Sequence, residues 1–155
     1  NEGTFTKWSS SGGGSLSGFS SSNENKVNQW SQGSAFKYKG FSWQQEYHEK
    51  YIEVNNSGID REFEGGYAQV GYMLSNFGGP EGLELAYRYA WVDEPDSNDL
   101  SLITERTENT LCLNYFIAGH NNKITLDYSL LKMDDGSDGL FYDDDRFRLQ
   151  WDISF

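Results

Sequence analysis

From Asp145 to its last residue the chain alternates without a break. Phe147, Leu149, Trp151, Ile153 and Phe155 fall on one parity, and Arg146, Arg148, Gln150, Asp152 and Ser154 on the other. Successive side chains of a strand point to opposite faces, so such a segment separates an apolar environment from an aqueous one. The same rhythm recurs in Leu83, Leu85, Tyr87, Tyr89 and Trp91 against Glu84, Ala86, Arg88 and Ala90. It recurs again in Leu111, Leu113, Tyr115 and Ile117 against Thr110, Cys112, Asn114 and Phe116, and in Ile124, Leu126, Tyr128 and Leu130 against Lys123, Thr125, Asp127 and Ser129. Shorter alternations cover Ala68 to Leu74, the set Phe41, Trp43, Tyr47 and Tyr51, and Phe36 and Tyr38 against Lys37 and Lys39. A stretch around Phe5 to Trp8 supplies an eighth strand. Leu130 and Leu131 are adjacent and break the rhythm, which predicts a β-bulge.

Composition supports strands over helices. The chain has 25 aromatic residues in 155, counting 5 Trp, 10 Tyr and 10 Phe, together with 17 Gly. Rings favour pleated, half-buried surfaces and glycines favour the turns between them. Twelve basic residues against 24 acidic ones give a formal charge of -12, and no basic stripe is present, so a nucleic-acid partner is excluded. Cys112 is the single cysteine, so neither an intrachain disulfide nor a Cys-based zinc site can form. No apolar run approaches the roughly 18 residues of a helical membrane span. The start Asn1-Glu2-Gly3-Thr4 does not read as a secretory signal, and the expectation is a cytosolic chain, a mature product or a fragment.

The segments between strands sort into two kinds. Short connections fall at Lys39 to Phe41, Asn76 to Gly82 and Ala118 to Asn122, whereas residues 9–29, 53–65, 94–104 and 134–145 read as longer loops. Residues 9–29, rich in Ser, Gly and Asn, are the longest polar loop of a single domain spanning 1–155. The longer loops collect Asp60, Glu62, Glu64, Glu94, Asp96, Asp99, Asp134, Asp135, Asp138, Asp143, Asp144 and Asp145, so one end of the sheet is strongly negative.

Two architectures place an apolar parity on an antiparallel meander: a soluble sheet with the greasy face inward, and a membrane barrel with it outward. A soluble core favours aliphatic side chains of mixed volume. Here Tyr87, Tyr89, Trp91 and Tyr115 gather toward strand ends, as in the aromatic girdles of membrane barrels. Ten residues at about 3.3 Å each, tilted by roughly 45°, rise about 23 Å, close to the apolar band of about 25 Å in such barrels. The fold class read from the residues is therefore an all-β, antiparallel, up-and-down transmembrane β-barrel with about eight strands visible.

Several segments carry a resemblance. Glu84 to Tyr89, Leu113 to Phe116 with Gly119 to Asn121, and the ending Arg146 to Phe155 resemble the C-terminal part of the phosphate-selective porin O/P family. Lys37 to Ser42 with Gln44 to Tyr47 is similar to a short periplasmic turn of that family, and Gly66 to Leu74 to a later strand. The resemblance covers roughly residues 30–155. It implies a Gram-negative outer-membrane porin of about sixteen strands, a homotrimer, of which this chain is the C-terminal half. It also implies contact with outer-membrane lipids and lipopolysaccharide, and passage through the barrel-assembly machinery, for which a terminal Phe155 resembles the recognition signal. A complete eight-stranded barrel, acting as an anchor or adhesin, is the alternative.

In the porin reading Lys37, Lys39, Glu46, Glu84, Arg88, Lys123, Asp127, Arg146, Arg148 and Asp152 face the lumen. Two roles are open to them: a charge ladder setting ion preference, or a mutually paired wall. The acidic run from Asp134 to Asp145 lacks the ligand spacing of an EF-hand loop and reads as a solvated surface, with divalent bridging to lipid phosphates as the other reading. His48 reads as a wall residue, His120 as a turn residue and Cys112 as a small wall residue. A lipid-modifying barrel enzyme built on His48 and a soluble lipocalin-like barrel complete the set of hypotheses. No cofactor is expected, and no enzyme activity.

Overall fold

The computed structural model describes residues 2–4, 24–54, 60–95, 102–118, 121–135 and 139–154. Three-residue β1 (Glu2–Thr4) is followed by seven long strands: β2 (Glu24–Tyr38), β3 (Phe41–Val54), β4 (Arg61–Met73), β5 (Leu83–Pro95), β6 (Ile103–Phe116), β7 (Asn122–Asp135) and β8 (Leu140–Ile153). Every strand pairs antiparallel with its sequence neighbours, so spatial order and chain order coincide. The up-and-down meander expected from the alternation is therefore present. It is open: among the described residues β8 does not pair back to β1, so the eight strands do not close a barrel by themselves. The expected strand at Phe5 to Trp8 and the assembly signal Phe155 lie outside the described residues, as does His120.

The seven long strands run to 13–15 residues, beyond the ten read from the alternation. At about 3.3 Å per residue and 45° tilt they rise roughly 30 Å or more, exceeding an apolar band of about 25 Å. The surplus lies on the acidic end. Glu62 and Glu64 belong to β4, Glu94 to β5, Asp134 and Asp135 to β7, and Asp143 to Asp145 to β8, and all of these had read as loop. Residues 24–29 belong to β2, shortening the expected polar loop from its C-terminal side. The cause is that a strand ends where its neighbour stops pairing, whereas Asp, Glu and Asn mark a loop by local preference alone.

At the other end, Lys39 and Gly40 make a two-residue hairpin turn with φ of 47° and 82°. Both residues need a positive φ for the turn to follow the twist of its strands, and Gly accepts that at little cost. Asn76 Nδ2 donates to the Lys39 carbonyl at 2.8 Å and ties this turn to the next one, where Leu74–Phe77 forms a short 3-10 helix.

The bulge expected at Leu130 and Leu131 is absent. Leu130 pairs with Asn109 and Asp145, and Leu131 with Glu108 and Asp144, in unbroken register. Leu131 and Met133 instead turn to the polar face, beside Val92 and Tyr142.

Burial is inverted relative to a water-soluble sheet. Among the described residues the buried apolar side chains are Ile52 and Ala86, while Asp127, Ser129, Thr110 and Thr125 are all under 9% exposed. On the other face Phe147 and Leu149 are 68% exposed and Trp151 65%. Side chains that crowd on one face and splay on the other indicate a sheet curved toward its polar side. A folded chain with almost no core of its own needs an external apolar phase against its greasy face. No described helix is long and apolar enough to cross a membrane.

Candidate pore wall

Register carries the polar parity from strand to strand as one continuous face. Lys37 stands opposite Ser42, Ser42 opposite Gly71, Gly71 opposite Ala86, Ala86 opposite Cys112, Cys112 opposite Asp127 and Asp127 opposite Arg148. Neighbouring rows hold Glu84, Arg88, Lys123, Arg146, Asp152 and Glu46 on the same side. Lys39 does not join them, because it occupies the turn after β2. Small side chains leave room on this face: a Cβ on Gly71 would stand 2.6 Å from Ser42 Oγ and 2.7 Å from Glu84 Oε1.

Most of these charges are held by partners. Arg148 Nε donates to Asp127 Oδ2 at 2.8 Å, with the Asp127 side chain only 1% exposed. Arg146 Nη2 reaches Glu108 Oε1 at 2.6 Å, and the same oxygen accepts from Thr110 Oγ1 at 2.8 Å and Ser129 Oγ at 3.1 Å. Lys123 lies 3.6 Å from Asp152, and Arg106 pairs with Glu94. Glu84 accepts from Asn114 Nδ2 at 2.9 Å and Ser42 Oγ at 3.3 Å. Charge-assisted bonds of this kind fix side chains against the wall.

Two cations differ. Lys37 and Arg88 form no ion pair among the described residues, and the Arg88 guanidinium lies over the Tyr67 ring at 4.1 Å from its centroid. Stacking on a ring holds the group while leaving its in-plane N–H donors available. The face as a whole is balanced, with Lys37, Lys50, Arg61, Arg88, Arg106, Lys123, Arg146 and Arg148 against Glu46, Glu84, Glu94, Glu108, Asp127, Asp135, Asp144 and Asp152.

The excess acid sits on the opposite face. Glu49, Glu64, Asp93, Glu105 and Asp134 are successive cross-strand partners, one carboxylate per strand from β3 to β7. Like charges directly opposite one another destabilise a sheet, and salt screens them. Replacing Glu105, which has an acid on either side, with Gln should stabilise the protein by about 0.5–1 kcal/mol at low ionic strength. The gain should vanish at 1 M salt, as read from urea unfolding midpoints in lipid vesicles.

Tyr87, Tyr89, Trp91 and Tyr115 share this outward face. Only Tyr115 and Trp91 lie toward the ends of the apolar segment; Tyr87 and Tyr89 fall near the middle of β5, whose true length the alternation understated. Tyr87 uses its hydroxyl to donate to Asn109 Oδ1 at 2.6 Å. Tyr38, Phe36 and Phe41 form an aromatic group beside the first turn, with ring centroids 6.3 and 6.4 Å from Phe36.

Glu108, Thr110, Ser129 and Tyr67 are wall residues the sequence reading did not single out. Extending the β6 parity two residues upstream from Thr110 reaches Glu108, whereas Tyr67 gave no signal because rings had been assigned to lipid. His48 is half-exposed and its Nε2 lies 3.4 Å from Glu46 Oε2. Register places Ser31 opposite it, with no hydrogen bond between the two. Cys112 is the small wall residue expected, with Sγ 3.5 Å from Asn114 Oδ1. Among the described residues no group of three or more His, Cys, Asp or Glu could hold a metal ion.

No curated protein and no solved structure matches the chain. A family profile does: that of phosphate-selective porin O and P aligns with residues 16–151. An outward greasy face, a charged inner one and a match across most of the sequence agree, and the chain belongs to the phosphate-selective porin O and P family, a family of outer-membrane channels.

Proposed function

We propose that this chain forms part of the wall of a water-filled outer-membrane channel through which small hydrophilic anions, phosphate among them, diffuse passively. The observation that carries the reading is the inverted burial, with charged groups packed inside the curve and Leu149 and Trp151 outside it. Among the described residues both edges of the sheet are open, which supports a larger barrel of about sixteen strands with these as the C-terminal ones, because an unpaired strand edge cannot stand in lipid. Short turns in such barrels face the periplasm, so the Lys39 turn is assigned there and the acidic ends to the cell surface, against lipopolysaccharide. Phe155 is the candidate contact for the assembly machinery.

Anion preference rests on Arg88 and Lys37. Four bases of the face are neutralised by their own acids, whereas Arg88 and Lys37 form no ion pair among the described residues and have donors to offer a passing oxyanion. In planar bilayers the porin should open discrete conductance steps. Exchanging Arg88 and Lys37 together for Glu should lower its anion-to-cation permeability ratio several-fold, read from reversal potentials in a salt gradient. An unchanged ratio would remove these residues from selectivity, and silent membranes would remove the channel reading itself.

A further inference from the structure

We propose that Val92, Leu131, Met133, Tyr142 and Asp144 form a binding site in the channel wall for a small organic cation, an amine carried on one apolar ring. The inference rests on the reading that this face lines an aqueous lumen, and it adds a solute class to that reading. Strand register assembles the site from two rows of the inner face, near the acidic end of β5 to β8. Val92, Arg106, Met133 and Tyr142 stand abreast in one row, and Ala90, Glu108, Leu131 and Asp144 in the other. Together they line a hollow of about 320 Å³.

Apolar side chains on a wall that faces water need a reason. Val92 is 46% exposed and Tyr142 45%, with Leu131 and Met133 half-buried beside them. Lipid cannot cover this group, because strand parity puts it on the face opposite to Leu149 and Trp151. An apolar solute that settles on it removes both surfaces from water, with a gain proportional to the area covered. The hollow has the size of the smallest ligand sites, room for one ring and a short arm.

Charge decides which solute fits. The Arg106 guanidinium pairs with Glu94, and Glu108 holds Arg146 at 2.6 Å. Lys132, at the rim, faces outward toward Asp143 at 3.9 Å. Arg88 stands one row away and leans over the Tyr67 ring on β4, the side away from β6 to β8. Asp144 differs: its Oδ1 accepts the Asp145 backbone N–H at 2.8 Å, and its carboxylate forms no ion pair among the described residues. The charge of the hollow left without a counter-ion is therefore negative. It repels an anion and attracts an ammonium, which the Tyr142 ring two residues along the same face favours as well.

The test is equilibrium dialysis of labelled phenethylamine against the intact porin in lipid nanodiscs, with empty nanodiscs as the blank. Binding should saturate at one amine per chain. Asp144→Asn should weaken it roughly fivefold, as loss of a partly exposed ion pair implies. Val92→Thr, which keeps the shape and removes the apolar surface, should weaken it as well. Phenylacetate, with the same ring and the opposite charge, should not bind, and ethylamine, with the charge and no ring, should bind at least tenfold more weakly. Uptake that does not saturate, equal binding of phenylacetate, or wild-type affinity in Asp144→Asn overturns the proposal. Planar-bilayer recordings separate the two readings: silent membranes remove the channel, whereas saturable binding lost in Asp144→Asn supports the site whether or not the membranes conduct.

Discussion

Leu149→Lys should destabilise the folded barrel by about 2–4 kcal/mol in lipid vesicles, whereas Gln150→Lys, one residue further, should change stability by less than about 0.5 kcal/mol. Leu149 is 68% exposed on the outward face, opposite Leu126, in a row of aliphatic side chains with Leu113 and Leu85. A lysine there must reach the membrane surface or carry its charge into hydrocarbon. Gln150 stands on the inner face beside Asp152, to which its Nε2 donates at 2.6 Å, and a cation in its place meets water and a carboxylate. Urea unfolding followed by tryptophan fluorescence in vesicles measures both. Equal costs, or a larger cost at 150, would reverse the two faces and with them the channel.

The second large effect concerns a deeply buried charge of the wall. Asp127 is 2% exposed, and its carboxylate has Arg148 as its ion partner through Oδ2, while Oδ1 has no hydrogen-bond partner. Substituting Arg148→Met keeps the length of the side chain and leaves the carboxylate buried alone. Breaking a buried pair on one side costs about 3–5 kcal/mol, and a loss near the low end of that range is expected because Arg148 itself is half-exposed. Removing the other partner as well, in Arg148→Met/Asp127→Leu, should recover most of the loss, and the double-mutant cycle isolates the coupling. Lys132 and Asp143 provide the contrast: 3.9 Å apart and 62% and 73% exposed, they should tolerate Lys132→Met with a change under about 0.5 kcal/mol. If Arg148→Met unfolds at the wild-type urea concentration, the wall is not held by this pair.

A fixed, paired wall also explains why loss of one base is expected to act on stability more than on permeation in β6 to β8. There each base has its acid: Arg106 with Glu94, Arg146 with Glu108, Arg148 with Asp127, Lys123 with Asp152. Pairing accounts for the later strands, and Lys37 on β2 and Arg88 on β5 form no ion pair among the described residues.

The central stretch of each later strand, and which of its faces is greasy, was legible in the sequence alone. The reason is that side-chain direction repeats every two residues, a local property that Phe147 to Ile153 displays with no knowledge of neighbours. Everything that depends on a neighbour was decided by the tertiary structure. Asp143 to Asp145 became strand because β7 continues alongside them, against the loop preference of their own side chains. Leu131 went to the water side because unbroken register with Glu108 and Asp144 prevailed over its hydrophobicity. Asp127 found Arg148, 21 residues away, only because the register of β7 with β8 sets the two abreast. Register is a sum over two strands and their connection, and one strand read singly cannot contain it.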